Sequence, residues 1–364
     1  MTPPAALTVI GDPDGRRTAL LRRAAVRAGI PLPRTVSWLD VLTRAASHFG
    51  DHEIVRIDSP GGNRHIDALL RGPGDPTRIA DGPRWYSTLC RAVNTVHGRY
   101  QLTAPEDVAV LFDKRRCHAH LAAQAIPVPH SPTSGALTGP SSWPEVRALA
   151  AAAGLRRFFI KPAHGSSAAG VVAVETANPG RVQAHSSAEL TPCGLYNSLR
   201  VRRLTGEREV GALIDALAPE QLHIEAWLPK PVIAGRAADL RIVVIAGRAT
   251  HAVLRTGASP MTNLHLGGRR ADWTVAQAAF EASGFGWSAA LQIAEAAATR
   301  FPRTMCVGVD LLPAANWRAA HVGEVNAFGD LLPGLTGLPA RADGQDTYDA
   351  QVAAMAGWVG RAAA

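Results

Sequence analysis

The stretch FFIKPAHGSSAAGVVAVE, Phe158 to Glu175, confines the chain more tightly than any other. Two apolar runs of strand length flank a loop of glycine, serine and alanine, and one lysine, Lys161, closes the first run. Such a loop lets backbone N–H groups turn toward phosphate oxygens, and the lysine adds a point charge at its edge. Because the lysine precedes the glycines and the loop leads into a strand, the GxxxxGKS pattern of a strand-to-helix phosphate loop does not describe it. Lysine is itself a signal in this chain. Of 38 basic residues only Lys114, Lys161 and Lys230 are lysine and the other 35 are arginine. A retained lysine marks a place where a compact ammonium on a flexible stem does what a broad planar fork cannot.

A length of 364 residues exceeds one ordinary core, so two or three subdomains of roughly 100 to 150 residues are expected. Hydrophobic residues at 47% and charged residues at 19% are ordinary for a globular chain, and no apolar run reaches the roughly 18 to 20 residues of a membrane span. The start, MTPPAALTVIGDPDGRR, has too short an apolar run for a secretion signal, with its arginines on the wrong side, so a cytoplasmic protein is expected. Cys90, Cys117, Cys193 and Cys306 form no CxxC pair and no zinc spacing, which suits reduced thiols. A net charge of +8 raises the question of nucleic acid. The arginines are spread without a run of five or six and without interleaved aromatics, so a basic cleft for a small polyanion is the expectation instead. In RRCHAH, Arg115 to His120, the two histidines stand at i and i+2 and diverge on a helix, so they read as surface residues and not as metal ligands.

Along the chain, ALTVIG followed by an amphipathic helix over 16–28, then RTVSW and EIVRI, predict a small parallel α/β unit. DSPGGNRHID, Asp58 to Asp67, follows the end of a strand, where open α/β sheets collect ligands; a plain turn and a binding loop both fit it. From Thr103, as a potential N-cap, one helical pattern runs to the IPVP stop, and a flexible linker over Pro129 to Pro144 precedes an alanine-rich helix near Trp143. RRFFIKP, GVVAVE, RVQAHS, SLRVRR and LHIEAWL read as strands, with GEREVGALIDAL as a helix before the last. DLRIVVIAGRATHAVLR reads as a hairpin, followed by a loop rich in glycine and asparagine, a long helix near Trp287 to Ala298 and a second hairpin from Cys306.

That second hairpin carries oxygen donors. Asp310 lies on one strand, and Glu324 and Asn326 at i and i+2 of the next share a face by the strand period. Two carboxylates and an amide, with no histidine or cysteine, suit hard Mg²⁺ ions that complete their shells with water and phosphate. Without a cation two close carboxylates repel and one tends to protonate.

The order FDKRRC, FFIKPAHGSSAAGV, HIEAWLPK, DLRIVVIAGR, LRTGASPMTNLHLGG, GVDLL and GEVNAFGD resembles the ATP-grasp superfamily over roughly Glu106 to Leu335, and within it the glutathione-synthetase-type ligases. The resemblance implies an α+β fold in which two lobes grip ATP, preceded by a small parallel α/β domain. The expected units are an amino-terminal domain over 1–105, central and small lobes over 106–235, and a carboxy-terminal lobe with the metal site over 236–364. By the same resemblance Lys114 and Lys161 reach the ATP phosphates, and His164 to Ala168 close over them with Gly165, Ser166 and Ser167. Glu225, Ala226, Trp227 and Leu228 meet the base, and Lys230 falls near the ribose. Arg241 and Arg255, together with Lys161, act on the transferring phosphoryl group. Asp310, Glu324 and Asn326 hold Mg²⁺, two ions in all, while Asn263, Gly267 and Gly268 cover the acceptor.

The implied reaction is ATP-dependent formation of an amide or peptide bond through an acyl phosphate, with ADP and phosphate released. Positioning and electrostatics carry such chemistry, so no nucleophile–histidine set is needed. A small-molecule kinase on the same fold is the alternative, and a nucleotide-binding protein without catalysis a further one. The partners expected are small-molecule or peptide carboxylates and amines, with neither nucleic acid nor membrane, and a homodimer stays open. His251 and His265 each read either as a base for the amine or as a hydrogen-bonded structural residue.

Overall fold

A computed structural model describes residues 6–44, 47–177, 181–328 and 332–362. The amino-terminal unit contains β1 (Leu7–Gly11), α1 (Arg16–Arg27), β2 (Arg34–Ser37), α2 (Trp38–Thr43), β3 (Ser47–His48), β4 (Ile54–Ile57), α3 (Arg64–Arg71), α4 (Gly82–Asn94), β5 (Val96–His97) and β6 (Tyr100–Gln101). Its main sheet is parallel in the order β2-β1-β4-β6, as the strand–helix spacing predicts. Trp38 is not the end of the second strand. It opens α2, because the Ser37 side chain accepts the Asp40 N–H and caps a helix there.

The single helix expected from Thr103 is instead two, α5 (Pro105–Leu111) and α6 (Lys114–Ala123), and the residue before α5 is Ala104. The break is chemical. Asp113 accepts the N–H groups of Arg115 and Arg116, which starts a new helix with Lys114 at its first position. The Pro129 to Pro144 stretch is likewise no free linker: Ser131 Oγ donates to Ile224 O at 2.6 Å, Thr133 Oγ1 accepts the Ile224 N–H at 2.8 Å, and the Ala226 N–H donates to His130 O.

After α7 (Trp143–Ala152), β7 (Arg157–Pro162), β8 (Val172–Ala177), β9 (Arg181–Thr191) and β10 (Gly194–Thr205) precede α8 (Glu207–Leu217) and β11 (Leu222–Ala226). The five strands make an antiparallel sheet, β10-β9-β8-β7-β11, with α8 on its apolar face. Thr77–Ile79 of the amino-terminal unit pairs with its outer edge: the Ile79 N–H donates to Leu195 O at 2.8 Å and the Asn197 N–H to Thr77 O at 2.7 Å.

The third sheet is built from β12 (Val232–Ile233), β13 (Arg236–Ile245), β14 (Arg248–Gly257), β15 (Arg269–Ala271), β16 (Cys306–Pro313) and β17 (Ala320–Asn326). Its order is β15-β14-β13-β16-β17, with β12 on β13, all antiparallel. Helices α9 (Trp273–Ala282) and α10 (Trp287–Ala298) cover one face through Phe280, Ala290, Leu291 and Ala294. The carboxy-terminal α11 (Thr347–Ala362) returns to the first unit, where Tyr348, Val352 and Met355 pack with Leu7, Val9 and Leu21.

Candidate functional site

The register of the third sheet sets charges opposite one another. Asp239 on β13 faces Arg255 on β14, Arg241 on β13 faces Asp310 on β16, and Asp310 faces Glu324 on β17. The side chains follow. Arg241 Nε lies 2.9 Å from Asp310 Oδ1, Arg255 Nη2 3.1 Å from the same oxygen, and Arg255 Nε 2.8 Å from Asp239 Oδ1. Asp239, which the sequence reading did not single out, also takes Lys230 Nζ at 2.8 Å and the Thr262 hydroxyl. Lys230, expected near a ribose, is therefore engaged with Asp239, Thr262 and the Pro260 carbonyl.

The other two lysines meet carboxylates from different elements. Lys114, at the start of α6, reaches Glu324 Oε1 at 3.1 Å and donates to the Gly165 carbonyl in the loop between β7 and β8. Lys161 on β7 pairs with Glu225 on β11, whose second oxygen lies 3.5 Å from His223 Nε2. Thr133 hydrogen-bonds the other ring nitrogen of His223 at 3.1 Å. Glu225, expected at the base edge, is thus already bound to a lysine and a histidine inside the small lobe. His118 is not a surface residue: its ring lies 5.4 Å from that of His223, with Pro129 O and Ser134 Oγ on its nitrogens. His120 is also half-buried, with Nε2 at 2.9 Å from Arg300 O and its ring on Phe301. An enclosed pocket between α6, β7, β11 and β17 is walled by Leu111, Cys117, His118, Val128 and Val322, with Lys114, Lys161 and Glu324 at its polar end. A wider, open groove along α1, lined by Arg22, Arg23, Val26 and Leu32, shares none of these residues.

Burial would push Glu225 up, but Lys161 and then His223 outweigh it and hold the carboxyl at about 2. Burial lowers Lys161 and Glu225 with Glu324 raise it, with a net rise above the usual lysine range. Asp239 overcomes its own burial through Arg255 and Lys230 and lies well below the carboxylate range, while Arg255 is correspondingly raised. Asp310 and Glu324 divide: burial raises Asp310 in spite of Arg241 and Arg255, whereas Lys114 and Lys161 outweigh burial at Glu324 and lower it. That division is the expected behaviour of two carboxylates crowded together.

Asn326 lies opposite Gly308, and its amide donates to the Gly308 carbonyl at 3.3 Å, which leaves its oxygen as the metal-ligating atom on offer. Among the described residues there is no cluster of three or more His, Cys, Asp and Glu able to hold a metal. Asp310, Glu324 and Asn326 offer oxygen donors alone, the kind a hard cation takes beside water and phosphate.

Ser166 and Ser167 are exposed on the β7–β8 loop, where Ser167 and Ala168 have positive φ of 53° and 59°. His164 is anchored instead, stacked on Tyr86 at 4.1 Å and with Nδ1 at 3.0 Å from Phe112 O. Ala226, Trp227 and Leu228 leave the end of β11, with Trp227 against Phe159 and under the Arg157 guanidinium. Asn263 accepts the His265 N–H and its carbonyl takes the Gly268 N–H, while a Cβ on Gly268 would stand 2.4 Å from Thr262 O. The loop over 258–268 is therefore a tight turn tied through Thr262 to Asp239. His251 is fully buried between Thr250 and Gln345 O, a structural histidine, while His265 is exposed on the loop. Gly329 and Asp330 of GEVNAFGD lie outside the described residues. All four cysteines are free thiols, and no described helix is long and apolar enough to cross a membrane.

No family model and no curated protein matches the chain. Solved structures do. A D-cycloserine synthetase, DcsG, superposes with a TM-score of 0.57 at 17% identity, covering 97% of this chain and 99% of that one. The ATP-grasp ligase PsnB complexed with minimal precursor gives 0.52 at 15% identity, covering 98% and 99%. The macrocyclase MdnC from Microcystis aeruginosa MRC, bound with precursor peptide MdnA, gives 0.53 at 10% identity, covering 97% and 99%. These likenesses run over nearly the whole of each chain, and the protein has the ATP-grasp fold.

Proposed function

We propose that the protein is an ATP-dependent carboxylate–amine ligase. The observation that carries this reading is a continuous run of charge pairs, in which Lys114 meets Glu324, the neighbouring Asp310 takes both Arg241 and Arg255, and Arg255 reaches on to Asp239. Such a field suits a triphosphate and the charge that develops as its terminal phosphoryl group moves. The neighbours support it at the coarse level: PsnB is crystallised with Mg and ADP and with a precursor peptide and AMPPNP.

In this proposal Lys114 and Lys161 neutralise phosphate oxygens, and the backbone from Gly165 to Ala168 supplies further donors. The Ala226–Leu228 backbone, at the end of β11, lies along the edge of the base. Asp310, Glu324 and Asn326 are the residues that would hold Mg²⁺, which would supply charge neutralisation on the phosphates. A substrate carboxylate oxygen attacks the terminal phosphorus and the bond to ADP breaks; Arg241 and Arg255 neutralise the group in transit. An amine then attacks the acyl carbon, phosphate leaves, and the amine proton passes to solvent. Asn263, Gly267 and Gly268 lie on the loop that shields this step from water. The substrate is a small molecule or a peptide, as for the neighbours.

The test is ADP release from Mg-ATP with pooled carboxylic acids and amines, with hydroxylamine present to trap an acyl phosphate as a hydroxamate. Substrate-dependent ADP with a hydroxamate, absent in Glu324→Gln, supports the ligase. ADP accompanied by a phosphorylated product and no hydroxamate would replace the ligase with a kinase.

A further inference from the structure

We infer that Tyr86, on α4 of the amino-terminal unit, is a positioning residue for the ATP phosphates, acting through His164 on the β7–β8 loop; this rests on the nucleotide-binding half of the reading above. The start of α4 lies against the point where that loop leaves its sheet. Gly82, the first residue of the helix, donates its N–H to Glu220 Oε2 at 2.9 Å, and a Cβ on Gly82 would stand 4.0 Å from His164 Cβ. Glu220 O in turn accepts the Ala163 N–H at 3.2 Å, and Ala163 O accepts the Lys114 N–H at 3.0 Å. Helix, loop root and phosphate lysine thus share one short run of hydrogen bonds.

Tyr86 makes the direct contact. Its ring stacks on that of His164 with centroids 4.1 Å apart and an angle of 10° between the planes. Polar groups fix both rings. The Tyr86 hydroxyl donates to Ala109 O on α5 at 2.6 Å and accepts from Arg116 Nη1 on α6 at 2.8 Å. On the histidine, Nδ1 lies 3.0 Å from Phe112 O, which can only accept, so Nδ1 carries the proton and donates. A stacked pair pinned at its edges leaves His164 one place to stand relative to α4. The neighbouring Trp85 extends the contact: its ring lies 5.6 Å from that of Phe112, which lies 5.4 Å from that of Phe328, two residues beyond Asn326.

The same segment of the amino-terminal unit braces the far end of the loop. Gly170 has φ of 70°, and a Cβ there would stand 2.7 Å from Pro162 Cγ and 3.3 Å from Ile79 Cγ2, so the loop returns pressed against Ile79. Between the two ends the Gly165 carbonyl takes Lys114 Nζ, and Ser166 and Ser167 are exposed. Ser166 stands two residues from His164, a span of about 7 Å at most, so a displaced ring carries the loop backbone with it. A phosphate cradle of backbone N–H groups works only while those groups converge. Tyr86 touches no phosphate itself; it sets where the N–H groups point.

The test is a set of binding titrations of the full-length protein with Mg-AMPPNP and with AMP, which lacks the β- and γ-phosphates that the loop donors would meet. Tyr86→Leu should weaken AMPPNP binding by about tenfold while AMP changes by less than about twofold, and Tyr86→Phe, which keeps the ring, should stay near wild type. His164→Leu should give a similar loss and the double variant no more, because the two rings act as one pair. Should Tyr86→Leu fail to fold, Tyr86→Met fills the space with an adaptable side chain and no ring, and the same result is expected of it. Equal losses for AMPPNP and AMP, unchanged AMPPNP binding without the ring, or losses that add in the double variant would leave Tyr86 a packing role and overturn the inference, with the ligase reading intact. Wild type that binds neither nucleotide would strike both.

Discussion

The arginines and the lysines of the candidate site are held in different ways. Arg241 and Arg255 lie within one antiparallel sheet, each with a carboxylate as its direct register partner, so the backbone ladder fixes cation and anion alike. Lys114 and Lys161 are joined to the site by their side chains: Lys114 spans from α6 to β17 and to the β7–β8 loop, and Lys161 meets Glu225 across the small sheet. A rigid fork suits a rigid grid, and a flexible stem suits contacts between parts that move relative to one another. Lys114 shows that contrast, since it joins three elements; Lys161 pairs within one antiparallel sheet, and Lys230 sits beside Arg255 on Asp239.

Breaking the grid should have the largest effect. Asp239→Asn leaves Arg255 and Lys230 buried against a neutral amide, and unfolding in denaturant should show a loss of about 3–5 kcal/mol. Where grid and bridges meet, Glu324→Gln should lower ATP turnover by about 100-fold or more with the fold retained, measured as ADP release and near-ultraviolet circular dichroism. Acid sharpens the contrast. Glu225 is depressed to about 2, so its contribution is present above the ordinary carboxyl range near 4.5 and is lost as pH falls toward 2. That contribution is on the order of 3 kcal/mol. Glu225→Gln should flatten the fall in stability over this window; the same slope in both proteins would mean that Lys161 and Glu225 are not coupled. Lys161, being raised, contributes below its unfolded value of 10.5 and loses that as pH climbs past it. Lys114→Arg keeps the charge but not the compact head, and KM for ATP should rise by about tenfold with little change in stability. Least affected should be Arg27→Ala on α1, where the exposed ion pair with Asp349 contributes under about 1 kcal/mol and salt titration should leave no difference.

The local strand pattern made β7, β8 and both hairpins of the third sheet legible, because each is an apolar run bounded by turn residues. The oxygen donors were legible for the same reason, since strand period alone places Glu324 and Asn326 on one face. Asp239 was not. Nothing near it in sequence marks it as buried, and its partners Arg255 and Lys230 reach it only through the β13–β14 register and the turn after β11. His223 and the Ser131 and Thr133 hydroxyls were missed on similar grounds, because their bonds span about 90 residues. Helices α9 and α11 were unread because alanine is common throughout the chain and weakens the contrast between helix and loop. Asp113 could have been found: an aspartate two residues before Arg115, within a periodic run, is an N-cap signal in mid-pattern.

The pairing of Thr77–Ile79 with β10 has a consequence for behaviour at high concentration. β10 is the last strand of its sheet, and an uncovered edge offers a row of free N–H and C=O groups to any other chain. Swinging the small lobe far enough to peel away that segment bares the edge for as long as the lobe stays open. Self-association at high protein concentration would then report how readily the Thr77–Ile79 segment leaves β10.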